Sequence, residues 1–231
     1  EENKEEHVWA TSWGISTRLI GAIILAHGDK KGLRLPPKIA PIQVVLVPIY
    51  RNEEQKIIVS DYITNIVNDL KNNGIRHFVD WSDSSPGYKF NEWELKGIPI
   101  RVEIGPRDVE SNKAVLVRRD IEEKEFLSKD ELCVNIDNML KEIQDNLYEQ
   151  AKLFRDKHTH KVKSYVEFKE IIDSGGFIRC GWDGEEETEL KIKEETKATI
   201  RCIPFDENPE NLSCVYSNRP AKHEVIYAKA Y

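Results

Sequence analysis

Three groups of residues have types and spacings that could do chemistry. The first is Thr11-Ser12-Trp13-Gly14-Ile15-Ser16-Thr17-Arg18. Gly14 permits close backbone approach, the hydroxyls can contact a polar ligand, and Arg18 offers a planar cation for a phosphate. The same stretch also reads as a strand edge with a solvated arginine. The second group lies between Phe90 and Asp108, where Glu94, Lys96, Arg101, Glu103, Arg107 and Asp108 surround a strand and a tight turn. Taken alone, Arg101/Glu103 and Arg107/Asp108 read as surface ion pairs worth little. Arg118-Arg119 ends an apolar strand and either faces a polyanion or is a solvated strand end. The third group is Cys133, Cys180, Cys202 and Cys214. The six histidines show no metal-ligand spacing. The acidic run Asp183–Glu189 reads as the N-terminal face of a helix, which the dipole favours, and lacks the alternating acids of a calcium loop.

The elements that must position these groups are legible as periodicities. A strand-like stretch, Thr11–Arg18, leads into a small apolar helix over Leu19–Ala26, and three prolines make 32–41 an extended connector. Ile42–Ile49 is a continuous β-branched run, expected as a buried central strand. A helix over Glu53–Asn73 carries Ile57, Ile58, Tyr62, Ile66, Val67 and Leu70 on one stripe, with Gly74 capping it. His77–Trp81 reads as a strand, Ser82–Lys89 as a loop, and Phe90–Lys96 as a short helix closed by Gly97. Ile98–Ile104 alternates and is expected to be half-exposed. Gly105-Pro106-Arg107-Asp108 follows as a turn, then a strand at Ala114–Val117. The long helix Lys129–Asp156 presents Ile136, Leu140, Ile143, Leu147 and Phe154. Trp93 and Phe90 are expected in the core. From His158 the pattern changes to a small α+β unit: a helix at Val166–Ile172, a short strand, an acidic helix at Glu185–Lys197 and three short strands. Its core is expected from Trp182, Ile192, Ile200, Ile203 and Ile226, with Cys202 also inside.

Composition limits the options. The 231 residues are 39% hydrophobic and 32% charged, with no run near the roughly 18 apolar residues of a membrane helix. The net charge of −7 opposes bulk electrostatic binding of nucleic acid. Residues 1–120 carry as many basic as acidic side chains, so the whole excess lies in 121–231. A polyanion partner is therefore expected to touch the first half. Four cysteines without a secretory signal suggest a reduced, cytoplasmic protein. The chain opens on Glu1 and its single Met is Met139, which reads as a C-terminal piece of something longer.

The run TSWGISTRLIGAIILAHGDKKGLRLPPKIAPIQVVLVPI resembles prolyl-tRNA synthetases from the third class II motif into the anticodon-binding domain. The resemblance continues through SPGYKFNEWELKGIPIRVEIGPRD, VLVRRD and IKEETKATIRCIP to the terminal AKAY, covering nearly the whole chain in order. The last segment points to the archaeal/eukaryotic type, which carries an extra C-terminal domain.

The resemblance implies residues 1–40 as the end of a class II catalytic core, 41–157 as a mixed-sheet α/β anticodon-binding domain, and 158–231 as a small α+β domain. It implies proline–tRNA ligation with ATP, Mg²⁺, L-proline and proline tRNA, in a cytoplasmic homodimer without membrane attachment. Arg18 matches the motif 3 arginine that contacts ATP phosphates, a cation where charge develops. Ser16 and Thr17 match the nucleotide and proline pocket, and Trp13 and Gly14 its floor. The other two motifs are expected upstream, so this piece alone is expected to be inactive. Proline codons are CCN, so the anticodon holds two neighbouring guanines. Guanine O6 and N7 suit arginine, and N1–H and N2–H₂ suit a carboxylate. Positions matching Glu94, Arg101, Arg107 and Asp108 contact those guanines in the family.

Many relatives hold zinc with four cysteines in the C-terminal domain. The matching positions here are Cys180, Glu185, Cys214 and Ser217, a poor tetrahedral set, so zinc is not expected. The terminal Tyr231 is implied to approach the active site with its carboxylate, against the plain reading of an edge-strand end. The rival function is a non-catalytic RNA-binding or regulatory module descended from such an enzyme. An intact Arg18 speaks against it.

Overall fold

A computed structural model describes residues 8–229, and the chain divides into two compact units, 1–149 and 150–231. In the first unit the β-branched run forms β1 (Val44–Pro48), buried along its whole length. It leads into α2 (Glu53–Asn72), following α1 (Arg18–His27) earlier in the chain. Asn52 caps α2 by accepting from the Gln55 N–H. At its other end the Ile75 N–H reaches the Leu70 carbonyl and the Gly74 N–H that of Lys71, a Schellman closure. Then follow β2 (His77–Val79), α3 (Pro86–Leu95), β3 (Ile100–Ile104), α4 (Pro106–Glu110), β4 (Lys113–Arg118), β5 (Lys124–Ser128) and α5 (Lys129–Lys157).

The sheet order is β2-β1-β3-β4-β5, with β1 parallel to both β2 and β3, and the last two strands antiparallel. On one face Val44, Leu46, Ile100, Val102, Ile104 and Leu116 pack against α2 and the first five turns of α5. On the other face Val45 and Val47 meet Trp93 and Ile98, with Phe90 partly buried beside them. Period two in the strands and 3.6 in the helices accounts for both layers.

The second unit has β6 (Thr159–Lys161), α6 (Tyr165–Ser174), β7 (Phe177–Trp182), α7 (Glu186–Thr196), β8 (Ala198–Cys202) and β9 (His223–Lys229). Its sheet runs β6-β7-β9-β8, and Phe168, Ile172, Ile178, Ile192, Val225 and Tyr227 fill the core.

Several expectations are corrected. The stripe of α2 holds at Tyr62, Ile66, Val67 and Leu70, but Val59 and Ile63 are buried in place of Ile57 and Ile58, which face solvent. The α3 helix starts at Pro86, within the expected loop, because Ser85 accepts from the Tyr88 N–H and Pro86 occupies the first turn. The expected turn at 105–108 is the start of α4, where the Asp108 carboxylate accepts from the Gly105 N–H at 2.8 Å. The β3 strand is not half-exposed: it is central, Arg101 lies against Phe90 of α3, and Glu103 is buried beside Arg101. Two strands, β5 and β6, were not expected at all. Cys202 is exposed, Ile203 lies outside the core, and Phe154 faces solvent. Thr11–Ser16 forms no strand. A strand needs a neighbour for its backbone groups, and the described residues supply none there.

The connector after α1 is fixed to the first unit by backbone contact. Leu33 and Leu35 N–H groups donate to the carbonyls of Leu95 and Gly97, each at 3.0 Å. A Cβ on Gly32 would stand 2.5 Å from the Leu95 carbonyl oxygen, and one on Gly97 the same distance from Leu33. Both glycines have positive φ, so geometry and space require glycine at this crossing. The contact brings Asp29 and Lys31 to the end of α3.

Candidate nucleic-acid interface

The face of the sheet under α3 gathers Glu94, Arg101 and Glu103 of the second group. Alternation along β3 turns Arg101 and Glu103 to the side of Val45 and Val47, away from the main core. The Arg101 guanidinium lies 4.4 Å from the centroid of the Phe90 ring. Its Nε and Nη2 donate to one oxygen of Glu103, at 3.1 and 2.9 Å. Lys124 Nζ stands 3.7 Å from the other oxygen. Stacking and pairing together fix the plane of the guanidinium. Among the described residues its Nη1 has no hydrogen-bond partner.

Glu94 stands at the end of α3, and Lys31 Nζ lies 3.3 Å from its carboxylate. Lys31 also pairs with Glu122. Below them Arg119, 6% exposed, donates to both oxygens of Asp29 at 2.7 and 2.8 Å and to the Glu94 carbonyl at 3.1 Å. A cavity of about 200 Å³ opens between these groups, lined by Lys31, Trp93, Glu94, Arg101, Arg119 and Lys124 among others. Its lining holds both donors (Lys31, Arg101, Lys124) and carboxylate acceptors (Glu94, Glu122). That suits the edge of a splayed base better than a bare phosphate.

The structure therefore brings Glu94 and Arg101 together. Arg107 and Asp108 lie elsewhere, in α4 at the carboxyl end of β3. There the parallel strands diverge, β2 on one side of β1 and β3 on the other, a position where α/β sheets commonly bind ligands. Tyr50 and Trp81, with ring centroids 6.2 Å apart, follow β1 and β2 at the same end. Arg107 is exposed, and its guanidinium has no partner among the described residues. Its expected pairing with Asp108 is not formed, because Asp108 caps the helix. The Arg101–Glu103 pair is formed but is not a surface pair: the two side chains are only 14% and 10% exposed. Arg118 and Arg119 match neither expectation. Asp120 and Glu142 hold the first, and Asp29 the second.

Lys31 and Lys124 belong to the cavity and were not singled out in the sequence. Lys31 sits in the connector and reaches the site only through the Gly32–Gly97 crossing. Lys124 opens β5, whose five residues show little periodicity.

The Arg119 guanidinium holds the Asp29 carboxyl down to about 2; partial burial opposes this and the Lys31 N–H assists. A carboxyl with a lowered pKa stabilises the fold above its ordinary value of 3.8 and loses that contribution as pH falls through the folded value. We expect the urea midpoint of the first unit to drop between about pH 4 and pH 2 more steeply in the wild type than in Asp29→Asn. Parallel curves would contradict the pairing.

The motif 3 stretch is placed differently. Residues 8–17 are exposed and form no regular element, with Trp13 94% exposed. Nothing lies within 4 Å of a Cβ built on Gly14. Ser16 Oγ accepts weakly from the Arg18 N–H at 3.4 Å, Thr17 is the N-cap position, and Arg18 begins α1. These residues converge on no pocket among the described residues. Tyr231 lies outside the described residues.

Comparison with known proteins now decides the family. The model of the anticodon binding domain matches residues 43–146, and that of the prolyl-tRNA synthetase C-terminal domain matches 165–231. A proline–tRNA ligase of Bacteroides fragilis is 50% identical over 236 residues, covering 100% of this chain and 48% of that protein. The chain belongs to the prolyl-tRNA synthetase family. Proline–tRNA ligases of Phocaeicola vulgatus and Christiangramia forsetii are 49% and 48% identical, again across 100% of this chain and 47% of each relative. The chain thus spans about half the length of the curated relatives it matches. The anticodon-binding match contains both arginine–carboxylate groups and every lining residue of the cavity except Lys31.

The C-terminal match contains Cys180, Glu185, Cys214 and Ser217, the positions that the resemblance matches to zinc ligands, and this donor set does not fit the metal. Cys180 is buried, and burial raises its thiol pKa. The Glu185 carboxylate pairs with Lys222 at 2.9 Å, and the Ser217 hydroxyl donates to Asp183 at 2.7 Å. Cys214 is buried.

Proposed function

We propose that this chain is the tRNA-reading part of a proline–tRNA ligase. In the parent enzyme L-proline is activated by ATP with Mg²⁺ to prolyl-adenylate and transferred to the 3′ end of proline tRNA, in a cytoplasmic homodimer. Residues 1–40 end the catalytic core, with Arg18 as the phosphate-contacting cation and Trp13, Gly14, Ser16 and Thr17 beside it. Residues 41–157 bind the anticodon, and 158–231 form the C-terminal domain. Glu94 and Arg101 read one guanine in the cavity, and Arg107 with Asp108 reads its neighbour at the carboxyl end of β3. The chain alone is not expected to form the adenylate.

The observation that carries this reading is the posture of Arg101. A guanidinium held 4.4 Å over the Phe90 ring centroid, tied to Glu103 on one side and open at Nη1, is a preset donor edge beside the acceptor Glu94. Filter binding tests it. The chain is expected to prefer proline tRNA at least about tenfold over the same tRNA with its two anticodon guanines replaced by adenines. Equal affinities would overturn the reading.

A further inference from the structure

In the second unit, β7 ends, α7 begins and the loop 213–219 returns to the sheet at one junction. Gly181 and Cys214 form a parallel bridge, and the Val215 N–H donates to the Gly181 carbonyl at 3.1 Å. A Cβ on Gly181 would stand 2.4 Å from the Ser213 carbonyl oxygen, so the backbones touch. Beside this contact lies Asp183, 3% exposed. One of its oxygens accepts from the Glu185 N–H at 3.2 Å. The other accepts from Thr188 Oγ1 at 3.0 Å and Ser217 Oγ at 2.7 Å, and Arg219 Nη2 lies 2.8 Å away. Arg219 also donates to Thr188 Oγ1 at 3.4 Å.

We propose that the Asp183 carboxylate is the cross-link of this junction, doing with hydrogen bonds and one ion pair what a tetrahedral metal does where four thiolates are present. The chemistry is consistent with the work required. A zinc site joins segments distant in sequence through one charged centre, and the apo forms of such sites unfold. Here one buried anion joins the end of β7, the first turn of α7 and the returning loop. Its charge is met by Arg219 and its lone pairs by two hydroxyls and a backbone N–H, so it is fully compensated in the interior. Two positions that could have supplied thiolates have joined the substitute network: Ser217 donates into it, and Glu185 is bound through its backbone. The acidic residue that begins the run 183–189 is thus a structural centre, distinct from the exposed Glu186 and Glu187.

Amide hydrogen exchange on the 231-residue chain, over 177–202 and 213–229, tests this. Asp183→Asn is expected to raise exchange there by about 10- to 100-fold, the loss of charge-assisted hydrogen bonds to a buried centre. Ser217→Ala is expected to raise it about fivefold, and the double variant no further than Asp183→Asn alone, because both act through one contact. A chelator is expected to leave wild-type exchange unchanged. If Asp183→Asn does not fold, Ser217→Ala and Thr188→Val decide, since each removes one donor and keeps the Arg219 pair. Exchange within about twofold of wild type in both, or strictly additive effects, would overturn the proposal. So would zinc at one per chain together with a chelator-induced rise in exchange.

Discussion

Replacing Asp80 with alanine is expected to destabilise the first unit by about 3–5 kcal/mol, the largest loss for any single side chain outside the apolar core. Asp80 follows β2 and is 5% exposed; Lys89, on α3, is 3% exposed. Lys89 Nζ donates to the Asp80 carbonyl at 2.9 Å and lies 3.8 Å from its carboxylate, which also accepts from Trp93 Nε1 at 2.8 Å. Removing the carboxylate leaves a buried ammonium without its counter-charge and a buried indole N–H without an acceptor. Burial opposes ionisation of Asp80, but the Ser82 and Trp93 donors and Lys89 outweigh it, and its pKa is lowered. The network therefore weakens as pH falls through that lowered value and is complete at neutral pH. Urea unfolding followed by tryptophan fluorescence measures the effect. The double variant Asp80→Ala/Lys89→Met is expected to recover most of the loss, because an apolar pair can occupy the site without a stranded charge. A loss below about 1 kcal/mol for the single variant, or no recovery in the double, would contradict this account.

The second large effect concerns recognition. Arg101→Lys is expected to weaken binding of proline tRNA by about 1–3 kcal/mol, on the order of 5- to 150-fold, while changing stability little. Lysine keeps a positive charge beside Glu103, so no buried carboxylate is left alone. It lacks the planar fork that lies on Phe90 and presents a second donor edge. Arg101→Ala removes both the fork and the partner of Glu103, and its effect on binding would be mixed with a loss of stability. Affinity by filter binding, with urea midpoints measured in parallel, separates the two. Unchanged affinity in Arg101→Lys would show that position 101 supplies charge alone.

The sequence makes some of this architecture visible and hides the rest for identifiable reasons. Val44–Pro48, α2 and α5 are long or apolar enough for periodicity to reveal them. The α3 helix was expected to start four residues late because Ser85-Pro86-Gly87 has the composition of a loop, although Ser followed by Pro is also how a helix can begin. The β5 strand has two apolar residues in five, and its identity comes from pairing with β4, information that no local window contains. The cavity shows the same division. Glu94 and Arg101 could be singled out from residue type and resemblance. Lys31 and Asp29 could not, since the chain returns them to Glu94 and Arg119 across 63 and 90 positions. Asp183 stands in a run of acids that looks uniform, and only burial distinguishes it. Charge patterns show which residues are polar, but tertiary contact decides which of them are paired, and the loss of Arg118 and Arg119 to internal carboxylates is the plainest case.

Replacing each anticodon guanine of proline tRNA in turn with 7-deazaguanine removes one acceptor, N7, and preserves base pairing edges and stacking. The most direct measurement is the affinity of wild type and Arg101→Lys for these two tRNAs and for the unmodified one. The account predicts that one of the two substitutions weakens wild-type binding about tenfold, and that the same substitution costs Arg101→Lys nothing further. An equal penalty in both proteins, or none in either, would show that the Arg101 edge does not read guanine.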